Sequence, residues 1–312
     1  MTTAKWSNPV GAAPSVPPSG LDFWRELVTP FGPAGWRIMI RVLVFGVLAA
    51  LVWGIESATD TSVAIDLTPY EIAGVTLSLL LVLRTNAGYE RWWEARKLWG
   101  GITNQCRDLV VVALATGSRD RQWREQIARW TAAFAHVVRR NLRGERQLPE
   151  LAALLGEAEA ARVAVAVHMP SYVSAKIAAQ LAAALEREEI SGFAFLEADR
   201  DRALLLDHAG GCERIAATPL PQAYVIKIRQ LVFLFLVALP FALISRVGWL
   251  TPLITIITAY PLLALDEIGA ELQRPFSTSA LNHLPLDDVC ATIERNLLAQ
   301  LEFEPPPSQD YA

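Results

Sequence analysis

"IAGVTLSLLLVLRTNAGYERWWEARKLWGG" (residues 72–101) joins two kinds of chain without a proline between them. Ile72 to Leu83 carries no charge. Arg84, Glu90, Arg91, Glu94, Arg96 and Lys97 follow, with Trp92, Trp93 and Trp99 among them. One helix that leaves a bilayer and continues into water accommodates both halves. Tyr89, Trp92, Trp93 and Arg96 then share a side, at i, i+3, i+4 and i+7. Interfacial tryptophans sit at headgroup level. These lie about one to four turns beyond Arg84, so they are expected to pack against neighbouring cytoplasmic helices or subunits. Glu94 is placed to pair with Lys97 at i+3.

The rest of the chain fits a membrane setting. Of 312 residues, 53% are hydrophobic and 19% charged, and the mean hydropathy is +0.29. A soluble domain averages about 25% charged residues. The net charge of −4 opposes a nucleic-acid binder, which is usually basic. Four apolar stretches appear at 38–55, 67–83, 231–244 and 249–265. About 20 residues cross a bilayer, which gives transmembrane helices at about 38–56, 67–84, 229–245 and 249–268. Pro240, Pro252 and Pro261 are expected to kink the last two.

The basic residues orient these spans. The loop 56–66 holds Glu56, Asp60 and Asp66 and no Lys or Arg, whereas 84–229 holds 21 of the 28 basic residues. Both termini and the long middle segment are therefore expected in the cytoplasm, with 56–66 and the turn Ser245–Gly248 outside. Arg246 in that turn dissents. Residues 1–30 read as a flexible cytoplasmic tail with no secretory signal, and 302–312 as a disordered tail. Residues 124–142, 174–189, 200–209 and 284–301 read as cytoplasmic helices. The cytoplasmic part is expected over about 85–228 and 269–301, and the fold is all-α.

Catalytic patterns are missing. There is no GxSxG, HExxH, Walker loop or GxGxxG. "HAGGC" (208–212) has no strand before it and reads as a turn. The histidines are scattered, so no metal site is expected, and neither is a cofactor. Cys106, Cys212 and Cys290 lack CxxC spacing and read as small buried hydrophobes. Asp266 and Glu267 end the fourth span and read as a solvated pair at the cytoplasmic membrane edge. In the second span Thr68, Ile72, Thr76 and Leu79/Leu80 form one stripe, and Ala73 and Gly74 permit close helix approach. Several copies of that stripe around an axis would line a narrow channel with hydroxyl rungs.

"LTPYEIAGVTLSLLLVLRTNAGYERWWEARKLWGG" (67–101) resembles the second-span motif of bacterial bestrophin-type channels. "GCERIAATPLPQAYVI" (211–226) resembles their entry into span three, and "ELQRPFSTSALNHLPLDDVCATIERNLL" (271–298) their segment after span four. The resemblance covers roughly 38–301 and is weak over 145–200; it implies a channel domain over 31–301. It also implies a homopentamer in the bacterial inner (cell) membrane that conducts small monovalent ions passively. Five copies of span two would surround one axial pore. The family's neck positions fall on Thr68, Ile72 and Thr76. Threonine at two of them departs from the family's more apolar neck and implies a wetter, leakier one.

The calcium-gated animal members carry an acidic cluster after an N-P-F motif. Here Arg274, Ser279 and Asn282 stand in "RPFSTSALNH" (274–283). No carboxylate is offered, so no calcium gating is expected. Asp66 and Glu71 fall at the outer mouth. Five copies would form acidic rings if the side chains face the axis, and no such rings if they point away from it; the sign is open, with a slight lean to cations such as sodium over anions such as chloride. The alternative is a non-conducting membrane scaffold or interaction protein.

Overall fold

The computed structural model describes residues 33–59, 64–278 and 283–302; the expected N-terminal tail and all but Glu302 of the C-terminal one lie outside them, as do Asp60, Ser279 and Asn282. Among the described residues the secondary structure is helical throughout. The α-helices run α1 (Pro33–Thr59), α2 (Leu67–Thr116), α3 (Arg121–Leu142), α4 (Pro149–Leu155), α5 (Glu157–Val165), α6 (Met169–Glu186), α7 (Gly192–Ala217), α8 (Gln222–Val247), α9 (Thr251–Glu271) and α10 (Leu286–Ala299). Single 3₁₀ turns join α8 to α9 and follow α10.

Helix α2 is one element of 50 residues, about 75 Å long. It takes in the whole of the quoted stretch, as its unbroken sequence predicts. Asp66 caps it, its carboxylate accepting from the Thr68 N–H at 3.0 Å. Pro69 lies in the first turn, where its missing N–H costs no intrahelical bond. Among the described residues three stretches are long and apolar enough to cross a membrane: Gly35–Thr59, Thr68–Thr116 and Gln222–Glu271, the last containing both α8 and α9.

Two apolar cores share α2. The smaller lies among α1, α2, α8 and α9 and includes Val42, Leu77, Leu81, Val232, Leu236 and Leu263. The larger surrounds the lower part of α2 and joins it to α3, α6, α7 and α10 through Trp99, Ile102, Phe134, Ile177, Leu205 and Ile293. The aromatic cluster therefore divides. Trp99 is fully buried and Trp92 packs on the larger core, while Tyr89 and Trp93 stay exposed and stack with each other at 6.4 Å. Glu94 pairs with Arg214 of α7 at 2.8 Å. The expected i+3 partner Lys97 loses to a cation that the neighbouring helix brings closer.

Several local expectations change. "HAGGC" is inside α7, not a turn. Antiparallel packing explains Gly211, though not Gly210, which faces open space: a Cβ on Gly211 would come within 2.9 Å of the Leu98 side chain, and a Cβ on Gly101 within 2.5 Å of the His208 ring. Each helix thus offers a glycine notch to a side chain of the other. Pro252 begins α9 and kinks nothing, whereas Pro240 and Pro261 lie inside their helices. The expected turn 245–248 is displaced, because α8 continues to Val247 and Gly248, at φ +55°, makes the bend. Helices α4 and α5 were not legible at all.

Arg139 and Arg140 both reach Glu150 of α4, at 2.6 and 2.5 Å. Burial works to raise the Glu150 pKa, but hydrogen bonds from Arg140, the backbone and Arg139 outweigh it and hold it at about 2. The three cysteines are buried and free, and burial pushes the Cys212 and Cys290 thiols up to about 12.

The glycine notch is directly testable. Gly101→Ala is expected to lower stability by about 1–3 kcal/mol through overpacking, although alanine is the better helix former. Adding His208→Ala should recover most of the loss. Thermal unfolding of the two variants in detergent measures the difference.

Candidate functional site

The upper part of α2 has two faces. Tyr70, Leu77, Leu81 and Arg84 turn toward α8 and α9. Tyr70 stacks on Phe235 at 4.3 Å and donates its hydroxyl proton to the Phe235 carbonyl. A Cβ on Gly74 would stand 3.2 Å from the same ring, so this small residue sets how closely α2 and α8 approach. The opposite face is open. Ile72 is 67% exposed, Val75 73% and Leu79 60%, and Thr68 and Thr76 are exposed with them.

Each expected neck residue therefore lies away from the protein's own interior. Thr68 and Ile72 occupy the middle of the open face. Thr76 sits at its shoulder, where it also borders a groove of about 570 Å³ between α2 and α8 lined by Tyr70, Ala73, Leu231 and Phe235. The Thr76 hydroxyl donates to the Ile72 carbonyl at 3.0 Å, and Ser78 does the same to Gly74 at 2.9 Å. A threonine bonded in this way presents only oxygen lone pairs to whatever lies beyond it. Of the expected mouth residues, Asp66 is exposed and serves as the α2 cap, and Glu71 is exposed.

Below the open face lies a charged layer that the sequence reading missed. Asp266 of α9 is 5% exposed, and the expectation of a solvated residue fails. Its Oδ1 accepts from the buried Arg84 of α2, and its Oδ2 accepts from Arg229 of α8 at 3.0 Å. Glu267 accepts from Arg37 and Arg41 of α1, each at 3.2 Å. Two adjacent carboxylates thus tie four arginines from three helices to the end of α9. One turn below, α2 and α9 nearly touch: a Cβ on Gly88 would stand 3.3 Å from the Gly269 carbonyl. The sequence carried a signal for this layer. Arg41 inside the first span, Arg84 ending the second and Asp266-Glu267 ending the fourth all fall at one depth if the spans stand side by side.

Arg274 is exposed and lies in a cleft with Arg91, Arg143 and Glu145. The Arg143 guanidinium is held by both oxygens of Asp287, at 3.0 and 2.8 Å. Hydrogen bonds from Arg143 keep the Asp287 pKa below the ordinary carboxylate range, with burial opposing. The 274–283 stretch continues into residues outside the described ones.

Comparison with known proteins agrees with this architecture. The family model described as Bacterial/Fungal Bestrophin protein matches residues 19–299. A Mesorhizobium japonicum protein named a voltage-dependent anion channel-forming protein is 34% identical over 273 residues, covering 86% of this chain and 87% of its own. One of the same name from Escherichia coli is 34% identical over 275 residues, covering 88% and 90%. The crystal structure of a bacterial bestrophin homolog from Klebsiella pneumoniae superposes with a TM-score of 0.78 at 28% identity, covering 86% of this chain and 99% of that one. These relatives are named for channel formation rather than catalysis.

Replacing Asp266 by Ala leaves Arg84 buried beside Arg229 without a carboxylate. The expected loss is about 3–5 kcal/mol, the usual cost of breaking a buried pair from one side. The double variant Arg84→Met/Asp266→Leu should lose less, and thermal unfolding in detergent compares them.

Proposed function

The chain belongs to the bacterial/fungal bestrophin family, and on that premise we propose that it is an ion channel of the bacterial inner membrane. It works as a homopentamer in which five copies of α2 surround one axial pore. Spans follow α1, the upper part of α2, α8 and α9; α3 to α7, α10 and the lower part of α2 form the cytoplasmic part, with both termini on that side. The observation that carries this reading is the open face of α2. One chain leaves Thr68, Ile72, Val75 and Leu79 uncovered while it buries the opposite face of the same helix. Copies placed around an axis would bring these faces together.

In that arrangement Thr68, Ile72 and Thr76 form the neck. Two of its three rungs carry hydroxyls, so it stays wetter than a fully apolar constriction. The absence of carboxylates in 274–283 fits a channel that calcium does not open.

Anions are the permeant class that the relatives' names favour, and the lean toward cations finds no support in those names. A second reading, cations, rests on the exposed Asp66 and Glu71, five copies of which would ring the outer mouth, and on the neck threonine. The Thr76 hydroxyl proton is engaged by the Ile72 carbonyl, so lone pairs are what it offers a passing ion.

Flux in proteoliposomes with the purified protein tests both points. Ion flux above protein-free vesicles is expected, and the reversal potential under opposed sodium and chloride gradients gives the sign. Flux equal to empty vesicles would leave a non-conducting scaffold. Thr76→Phe should lower flux severalfold, since it narrows the neck; unchanged flux removes Thr76 from the pore. Added calcium should leave flux as it was.

A further inference from the structure

The α1 side of the charged layer is unevenly balanced. Among the described residues Arg37, Arg41, Arg84 and Arg229 are ion-paired with Asp266 and Glu267, so these six groups keep two positive charges. Each carboxylate holds two arginines and leaves one positive charge over. Arg84 is buried and the Arg229 side chain is 49% exposed, while the Arg37 and Arg41 side chains, adjacent on α1, are 56% and 47% exposed. Glu267 is only 13% exposed and holds each of them through a single guanidinium nitrogen. A guanidinium has five N–H donors. Two forks, one helical turn apart on α1, thus keep most of their donors free and are fixed from behind by one carboxylate.

What lies beside the forks narrows the ligand. Trp36, next to Arg37, is 68% exposed, as expected of an indole at a membrane interface. Ile40, Val44, Val47 and Leu51 continue from Arg37 at i+3/i+4 spacing, and all are exposed. Ile40 to Leu51 rises about 16 Å, roughly one leaflet of a ~30 Å hydrocarbon core. The surface therefore has a phosphate-shaped pair of forks at its foot and an apolar track above it.

The geometry points to a binding site for an anionic phospholipid of the inner leaflet, with its phosphate on Arg37 and Arg41 and its acyl chains along Ile40, Val44, Val47 and Leu51. Bidentate arginine is well matched to phosphate, and basic pockets beside membrane helices take anionic headgroups. This site rests on the membrane-spanning reading of α1 but not on conduction.

The test uses the full chain extracted in a mild detergent. Thermal unfolding is followed with added phosphatidylglycerol, phosphatidylcholine or inorganic phosphate at equal phosphorus. Phosphatidylglycerol should raise Tm by about 2–4 °C over phosphatidylcholine, and phosphate alone should not. The double variant Arg37→Gln/Arg41→Gln should lose that increment. If it fails to fold, Arg37→Gln alone should cut the increment by about half, measured against its own lipid-free Tm. An increment that survives in the variant that folds overturns the site, and so does an equal shift with free phosphate. Recovery of the wild-type chain in the soluble fraction without detergent would overturn the membrane premise separately, and the site with it.

Discussion

A single buried carboxylate joins α2, α8 and α9 at the level where α2 passes from apolar to polar sequence. Asp266 accepts from Arg84 of α2 on one oxygen and from Arg229 of α8 on the other. Arg84 stands where an apolar helix turns polar, and an unpaired guanidinium buried there would be costly. The carboxylate lets α2 carry that charge inside the bundle without ending. The neighbouring Glu267 extends the same solution to α1 through Arg37 and Arg41. Three helices are thereby referred to one turn of α9, and the close approach of Gly88 to Gly269 keeps that turn within reach.

Because α2 is unbroken, it belongs to both cores and transmits position between them. Above Arg84 its packed side is set by Tyr70, Gly74, Leu77 and Leu81. Below, Trp99 and Ile102 bury it among the other helices. The crossing with α7 is fixed by paired notches, Gly101 under His208 and Gly211 under Leu98. Small residues meeting large ones in both directions give a defined register, since a slip along either helix would drive a side chain into backbone. With its lower end clamped in this way, the open face of the upper end has a fixed direction. That fixed direction is what lets a stripe of residues act as a common wall when copies assemble.

The sequence disclosed what depends on local pattern and on motif. Hydrophobic runs located the membrane-spanning helices, the unbroken passage from Leu83 into charged sequence foretold that α2 continues past its span though not its end at Thr116, and the 67–101 motif named the family. Contacts between distant segments were less legible. The Asp266 partners are 182 and 37 residues away in sequence, so an adjacent acidic pair at a helix end looked solvated. "HAGGC" looked like a turn because Gly211 answers to Leu98, on another helix. Glu94 had a plausible partner three residues on, and tertiary packing supplied a better one in Arg214. Helices α4 and α5 are short, at 7 and 9 residues, too brief for periodicity to separate from loop.

The functional account stands on the direction of the open face of α2. Single cysteines placed along that helix report it most directly, since the native Cys106, Cys212 and Cys290 are buried and add little background. Flux through proteoliposomes is followed while a charged, water-soluble thiol reagent is added. The account predicts that cysteine at Thr68, Ile72 or Thr76 makes flux sensitive to the reagent, whereas cysteine at Leu77 or Leu81 does not. Sensitivity at Leu77 and Leu81 with none at the other three would contradict it.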